Sequence, residues 1–334
     1  MRMNINKDAF IRVMLGGDVM LGRNVKEYIQ RYGPEYPLSQ VASLMREADL
    51  TIVNLECALT VAEAIWAGKP KAFYFGAPPQ AIDSLLDAGV DMLSLANNHI
   101  LDFGIEGLGE TLRLLNAHGI HHAGAGINID EARHPATIIC NVAKFGMASF
   151  CDHQADFAAE KDHPGIAYLD LDDEPGTLSS LRKALDLLQQ DQVDWPILSL
   201  HWGPNMVYRP SAQFRRIART AVDMGWKILF GHSAHVFQGI EIYKGCPIIY
   251  AAGDLVDDYC VDPAFKNDHQ LLFELELSRT ALQRIRLHPT LIVDCCAQFA
   301  TGKEFEYIAK WMTALCGEMG TNVQRIDNEI WIDC

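Results

Sequence analysis

No stretch of this 334-residue chain reaches the roughly 18–20 consecutive apolar residues that a membrane-spanning helix needs. The N-terminus, MRMNINKDAFIRVMLGGD, offers only the short apolar run IRVML before Gly16, too little for the core of a secretory signal. The nine cysteines, at 57, 140, 151, 246, 260, 295, 296, 316 and 334, form no CxxC pair and no regular framework, and their number is odd. That usage points to reduced, packed thiols rather than a secreted disulfide scaffold, and the adjacent Cys295-Cys296 is read as packing too. Positive charge is scarce. Against 43 Asp and Glu stand 28 Lys and Arg, a formal net charge of −15, which argues against nucleic acid or an anionic membrane surface as the main partner. Internal repeats, low-complexity tracts and linkers are lacking as well. The expectation is a soluble, cytoplasmic protein with no membrane insertion.

What is present is a large apolar content, 49% hydrophobic residues against 21% charged, enough for a sizeable core. Short apolar runs alternate with helical periods, which predicts an α/β fold. Ile11–Leu15, Asp49–Leu55, Asp91–Leu95, Trp195–Leu200 and Trp226–Phe230 read as strands, and Leu38–Glu47, Pro79–Ala88, Ile105–His118, Leu178–Gln190 and Ser211–Met224 as helices. A hairpin is expected over Ala136–Phe150 with its turn near Lys144–Gly146, and another around Lys244-Gly245. Gln270–Leu277 and Arg284–Leu287 read as later strands, Lys303–Gly317 as a helix and Glu329–Ile332 as a final strand. Gly124-Ala125-Gly126 follows no long strand and precedes no clear helix, so it reads as a turn rather than a phosphate loop. His121 and His122 are assigned to a short structural strand, and the acidic Asp170–Pro175 to a surface loop.

Five of these strands end in side chains that ligate metals: Asp18, Glu56, Asn98-His99, His201 and His232 with His235. In an α/β sheet the carboxyl ends of parallel strands share one edge, so the five groups would meet in one crevice. A rigid strand delivers each ligand, and the glycine-bearing turn behind it lets backbone and side chain close on an ion. Imidazole, carboxylate and amide oxygen together suit zinc, manganese or iron better than a thiolate-selected metal.

The motifs carrying these residues are GGDVMLGR (16–23), NLECALT (54–60), LANNHILDFG (95–104), LHWGPN (200–205), GHSAHVFQGIE (231–241) and GCPIIYAAGDLVDD (245–258). As an ordered set over about residues 11–290 they closely resemble the CapA, or poly-γ-glutamate capsule synthesis, family. That family is similar in turn to the calcineurin-like metallophosphoesterases, a four-layer α/β/β/α sandwich with a two-metal centre. The resemblance implies metal-ligand roles for Asp18, Glu56 (at the bridging carboxylate's place), Asn98, His201, His232 and His235. It implies an acid or substrate-polarising role for His99, oriented by Asp102, while Arg23, Lys71 and Trp202 are candidates for gripping an anionic substrate.

Three departures accompany the resemblance. Met20 stands where metallophosphoesterases carry the histidine of Asp-x-His, implying one ion or a weakly held second. Glu56 replaces an aspartate. Familiar CapA-type proteins are membrane-anchored, and no anchor is recognised here. The expected organisation is a domain over residues 1–290 with a C-terminal α/β extension, 291–334, packed on it. The expected function is a metal-dependent hydrolase holding one or two divalent ions (Zn, Mn or Fe) and acting on a small-molecule or peptide substrate, through a γ-glutamyl amide or a phosphoester bond. The alternatives are a peptide Cα-epimerase and a non-catalytic subunit of poly-γ-glutamate biosynthesis, with a homo-oligomer left open. Asp257-Asp258 is read as capping the loop after the last motif.

Overall fold

Ile11–Val19 (β1) is buried on both faces, as a continuous apolar run must be when sheet and helices cover it from two sides. It lies at the middle of the first sheet in a computed structural model that describes residues 10–326 and 329–334. Leu50–Leu55 (β2), Met92–Ser94 (β3) and His121–Ala123 (β4) continue from it in parallel, with Val13 opposite Leu50, Ile52 opposite Met92 and Met92 opposite His121. A second sheet follows in the chain: Ala136–Cys140 (β5), Ala143–Cys151 (β6), Trp195–His201 (β7), Ile228–His232 (β8), Ile240–Tyr243 (β9) and Cys246–Ile249 (β10). Its spatial order is β9-β10-β8-β7-β6-β5. The chain then returns to the first sheet with Asp254–Val256 (β11), His269–Leu277 (β12), Leu282–Val293 (β13), Cys296–Phe299 (β14), Gln324–Ile326 (β15) and Glu329–Asp333 (β16). There the order is β15-β16-β13-β12-β1-β2-β3-β4, with β11 alongside β1 and β14 alongside β13.

The two sheets face each other across one apolar layer, in which Val13, Leu15 and Ile52 of the first meet Phe145, Ile197 and Phe230 of the second. Helices cover the outer faces. Arg23–Tyr32 (α1) and Gly104–His118 (α2) set Val25, Ile29, Leu108 and Leu112 against the first sheet. Glu174–Gln190 (α3) and Ala212–Met224 (α4) set Leu181, Leu185, Ile217 and Ala221 against the second. Each large side chain removed from water in this way stabilises the fold by about 1.5–3 kcal/mol. The result is the four-layer α/β/β/α sandwich. A further helix, Gly302–Glu318 (α5), feeds Phe305, Ile308, Met312 and Leu315 into the layer between the sheets.

Local chemistry fixes the boundaries. Asp173 and Ser211 cap α3 and α4, accepting the Gly176 and Phe214 N–H groups at 3.1 and 3.2 Å. The β5–β6 turn falls at Asn141-Val142, earlier than the sequence led one to expect, because Asn141 takes the left-handed conformation (φ 53°) that asparagine tolerates. Helix α1 was not expected, since it has only Val25 and Ile29 on its buried face and so little apolar periodicity. The helix expected over Leu38–Glu47 is a 3₁₀ turn, Tyr36–Leu38, followed by a short helix, Ala42–Glu47. Strand β13 is twelve residues long and runs unbroken across position 290. Among the described residues no helix is long and apolar enough to cross a membrane.

Candidate metal centre

The crevice lies where strands of both sheets end, and glycine makes that meeting sterically feasible. A Cβ on Gly17 would stand 1.9 Å from the Gly253 carbonyl oxygen, and one on Gly231 would stand 2.0 Å from that of Tyr250. With hydrogen there instead, the Asp18 N–H reaches the Gly253 carbonyl at 2.9 Å, and Asp18 lies directly opposite Asp254 in the β1–β11 ladder.

Asp18 is the hub. Asn54 Nδ2 donates to its Oδ1 at 2.7 Å and the Ser233 N–H to its Oδ2 at 3.0 Å. Its Oδ1 also faces His232 Nδ1 (3.3 Å) and His201 Nδ1 (3.9 Å), and those two nitrogens are 2.8 Å apart. Its Oδ2 faces His235 Nδ1 at 3.9 Å, and that nitrogen lies 2.9 Å from Asp254 Oδ1. Two groups of buried donors therefore share Asp18: Asp18, His201 and His232, and Asp18, Glu56, His235 and Asp254. Within each group one ligand atom per residue lies within 4.8 Å of the others. The residue common to both is Asp18, whereas the resemblance implied the bridging place for Glu56.

Two of the imidazoles are oriented from behind. Ser199 Oγ sits 2.9 Å from His232 Nε2, and Asn98 Oδ1 sits 2.9 Å from His201 Nε2, joining the first sheet to the second. Asn97 shapes the turn that presents Asn98 and His99, accepting the N–H groups of His99 and Ile100 at 3.0 and 2.9 Å. Ser233 (φ 97°) and His235 (φ 57°) hold left-handed backbone conformations after β8, strain of the kind that collects at functional sites.

The donor set fits a cation. Both Glu56 carboxylate oxygens are buried without a hydrogen-bond partner, as is Asp254 Oδ2. Burial, then the neighbouring Asp18 carboxylate, push Glu56 and Asp254 well above the usual carboxylate range. Burial, then the other imidazoles, push His201 well below the usual histidine value. Imidazole nitrogens and stranded carboxylates gathered in one cluster are a donor set that a divalent cation takes up.

Beside this cluster His99 Nδ1 lies 2.5 Å from Asp102 Oδ2, and the Phe75 ring stacks on the imidazole at 3.7 Å. Burial pushes His99 down to about 4 even though Asp102 opposes it. Lys71 Nζ binds Asp102 Oδ1 and the Asn98 carbonyl and stands 3.2 Å from His99 Nδ1, so its charge is spent on the dyad. Arg23 begins α1 with φ 50°, pairs with Asp258 at 3.3 Å and lies over the Phe73 ring at 4.7 Å, its side chain 30% exposed. Trp202 is elsewhere. Its ring stacks on Phe214 at 4.6 Å in the outer core and its indole N–H donates to the Tyr250 carbonyl at 2.8 Å, leaving no donor for a substrate.

Three features were missed in the sequence. Asp254 supplies a donor beside His235 where Met20 offers none; the Met20 sulfur instead accepts the Gly22 N–H at 3.1 Å. A signal for it existed, since Gly253-Asp254 repeats the Gly17-Asp18 dipeptide. The Asp152–His153 pair (2.7 Å) braces the cluster from the second sheet, His153 Nε2 lying 3.1 Å from Ser233 Oγ and 2.7 Å from the Gly203 carbonyl oxygen. Tyr259 packs edge-on against His235.

A four-layer sandwich with a shared aspartate, three histidines and further carboxylates at its strand ends is an α/β fold carrying a candidate metal centre. More narrowly, the chain belongs to the family described as bacterial capsule synthesis protein PGA_cap, whose model matches residues 12–259. It is similar to the capsule biosynthesis protein CapA of Bacillus anthracis, 29% identical over 244 residues, which cover 72% of this chain and 58% of that protein. It is also similar to a probable polyglutamine synthesis accessory protein of Mycobacterium tuberculosis, 29% identical over 287 residues, or 75% of each chain. The solved structure of TT1561 of Thermus thermophilus aligns over 85% of this chain and 99% of its own, with a TM-score of 0.45 and 11% identity.

Proposed function

We propose that this chain is a metal-dependent hydrolase serving poly-γ-glutamate biosynthesis, cleaving a γ-glutamyl amide or a phosphoester bond. The observation that carries the reading is Glu56, a buried carboxylate with neither oxygen hydrogen-bonded, beside Asp18, His235 and Asp254 and with Oε1 3.7 Å from His201 Nε2. A buried charge without hydrogen bonds costs several kcal/mol, which a bound cation offsets. One or two ions would be held by Asp18, Glu56, Asn98, His201, His232, His235 and Asp254, and would supply Lewis acidity and activate the attacking water.

The chain's own residues do the rest. Asp102 accepts the Nδ1–H of His99, and that fixes the tautomer with its lone pair on Nε2. Held down to about 4, His99 rests neutral near pH 7 and enters the reaction as a proton acceptor, passing that proton to the leaving group afterwards. Lys71 pairs with the other oxygen of Asp102 and so holds that carboxylate in place behind His99. Arg23 stands at the crevice with a guanidinium suited to an anionic substrate group.

The test uses protein reconstituted with Zn, Mn or Fe and two chromogenic probes, a nitrophenyl phosphate ester and γ-glutamyl nitroanilide. Turnover of one of them, lost in Asp18→Ala, is expected. No turnover of either with any of the three metals contradicts the hydrolase reading. Epimerisation is a second reading, in which His99 Nε2, on the far side of the ring from the Nδ1 held by Asp102, takes a Cα proton instead. Solvent deuterium entering a γ-glutamyl peptide without cleavage would establish it.

A further inference from the structure

Tyr259 follows β11 in the loop that closes the crevice. Its ring meets His235 edge-on, centroids 4.9 Å apart at 72°, and lies 6.1 Å from Phe75, the ring stacked on His99. Its N–H donates to Asp257 Oδ1 at 2.9 Å. These three contacts hold the phenol between the metal-donor cluster on one side and the His99–Asp102 dyad on the other. The hydroxyl nevertheless hydrogen-bonds to no described residue, and the acidic groups that act on it are Glu56, Asp254, Asp257 and Asp18. Tyr259 is half-buried and its hydroxyl is not among the buried polar atoms left without a partner, so it opens to solvent in the crevice, where an incoming ligand can reach it. Nothing else in the fold needs this hydroxyl: the ring alone supplies the packing on His235 and Phe75.

We propose that Tyr259 is a substrate-contacting residue whose O–H donates a hydrogen bond to an oxygen of a tetrahedral oxyanion bound between the cluster and His99. The shared chemistry covers a phosphoryl group and the tetrahedral adduct of an amide. The phenol keeps its proton, so no bond is made or broken at Tyr259, and its contribution is to stabilise negative charge where it gathers. The proposal rests on the metal-dependent reading, because four nearby carboxylates would repel an anion unless a cation offsets them.

Tyr259→Phe deletes one oxygen and keeps the ring, so the packing on His235 and Phe75 survives. Wild type and variant are loaded with manganese, their metal content is measured, and inorganic phosphate is titrated into each by calorimetry. The expected result is equal metal content and phosphate affinity roughly tenfold weaker in the variant, as for loss of one hydrogen bond to a charged group. Equal metal content with equal phosphate affinity overturns the assignment and leaves the hydrolase reading standing. A variant that loses metal also overturns it, because Tyr259 would then serve the cluster rather than the ligand. Wild type that takes up no metal contradicts the hydrolase reading and carries this proposal down with it.

Discussion

Glu56 shows how one residue can be wrong for folding and right for function. Its carboxylate is buried, makes no hydrogen bond and is flanked by Asp18 and Asp254, so in metal-free protein it opposes the fold. Glu56→Gln keeps the shape and removes the charge. Metal-free Glu56→Gln should therefore unfold at higher urea, with stability up by about 1–3 kcal/mol, while binding metal weaker by more than roughly tenfold. A variant less stable than wild type in chelator would contradict this. At this scale the cluster was largely legible, because Asp18, Glu56, Asn98, His201, His232 and His235 each close an apolar run or a glycine-bearing turn. Asp254 was not. It opens a three-residue strand instead of ending a long one, and its place in the donor cluster comes from pairing opposite Asp18 across the sheet. Trp202 misled for a related reason: it neighbours His201, and alternation along the chain turns it to the other face, into the outer core.

Elements place those residues through close backbone approach. Strands β7 and β8 run parallel with His201 opposite His232, so a one-residue slip would turn one imidazole out of the crevice. Gly231 sits against Tyr250 where a methyl would meet the carbonyl oxygen at 2.0 Å, and Gly231→Ala should cost about 1–3 kcal/mol in urea unfolding and displace His232. Gly317→Ala, in open space on α5, should instead gain about 0.5–1 kcal/mol. Equal effects of the two substitutions would refute the close-approach argument. The central strands were readable because burial on both faces writes itself as apolar runs. Helix α1 was not readable, since two apolar residues on its buried face leave too weak a period, and β14 was hidden by the turn at Asp294-Cys295, which no glycine marks.

The molecule as a whole concentrates negative charge where its two sheets meet, and its stability should follow pH accordingly. Burial, together with Asp18 for Glu56 and Asp254 and with Asp254 for Asp257, raises all three carboxyls well above their unfolded values. Groups raised in this way contribute stability that is complete below the unfolded value and is lost as pH rises through the folded one. In chelator, these carboxyls make thermal stability fall as pH rises above the unfolded carboxylate value. The depressed His99 and His201 act in the opposite sense only up to their unfolded value of 6.5. The fall is therefore expected on the alkaline side of that value, and added divalent metal should flatten or reverse it. The measurement that bears most directly on the account is the metal content, by elemental analysis, of unchelated wild-type protein beside Asp18→Ala and His232→Ala. One to two equivalents of a transition metal in wild type, with Asp18→Ala losing most because both donor groups share that residue and His232→Ala losing less, is the predicted result. Wild-type protein that carries no metal and takes up none on addition would contradict it.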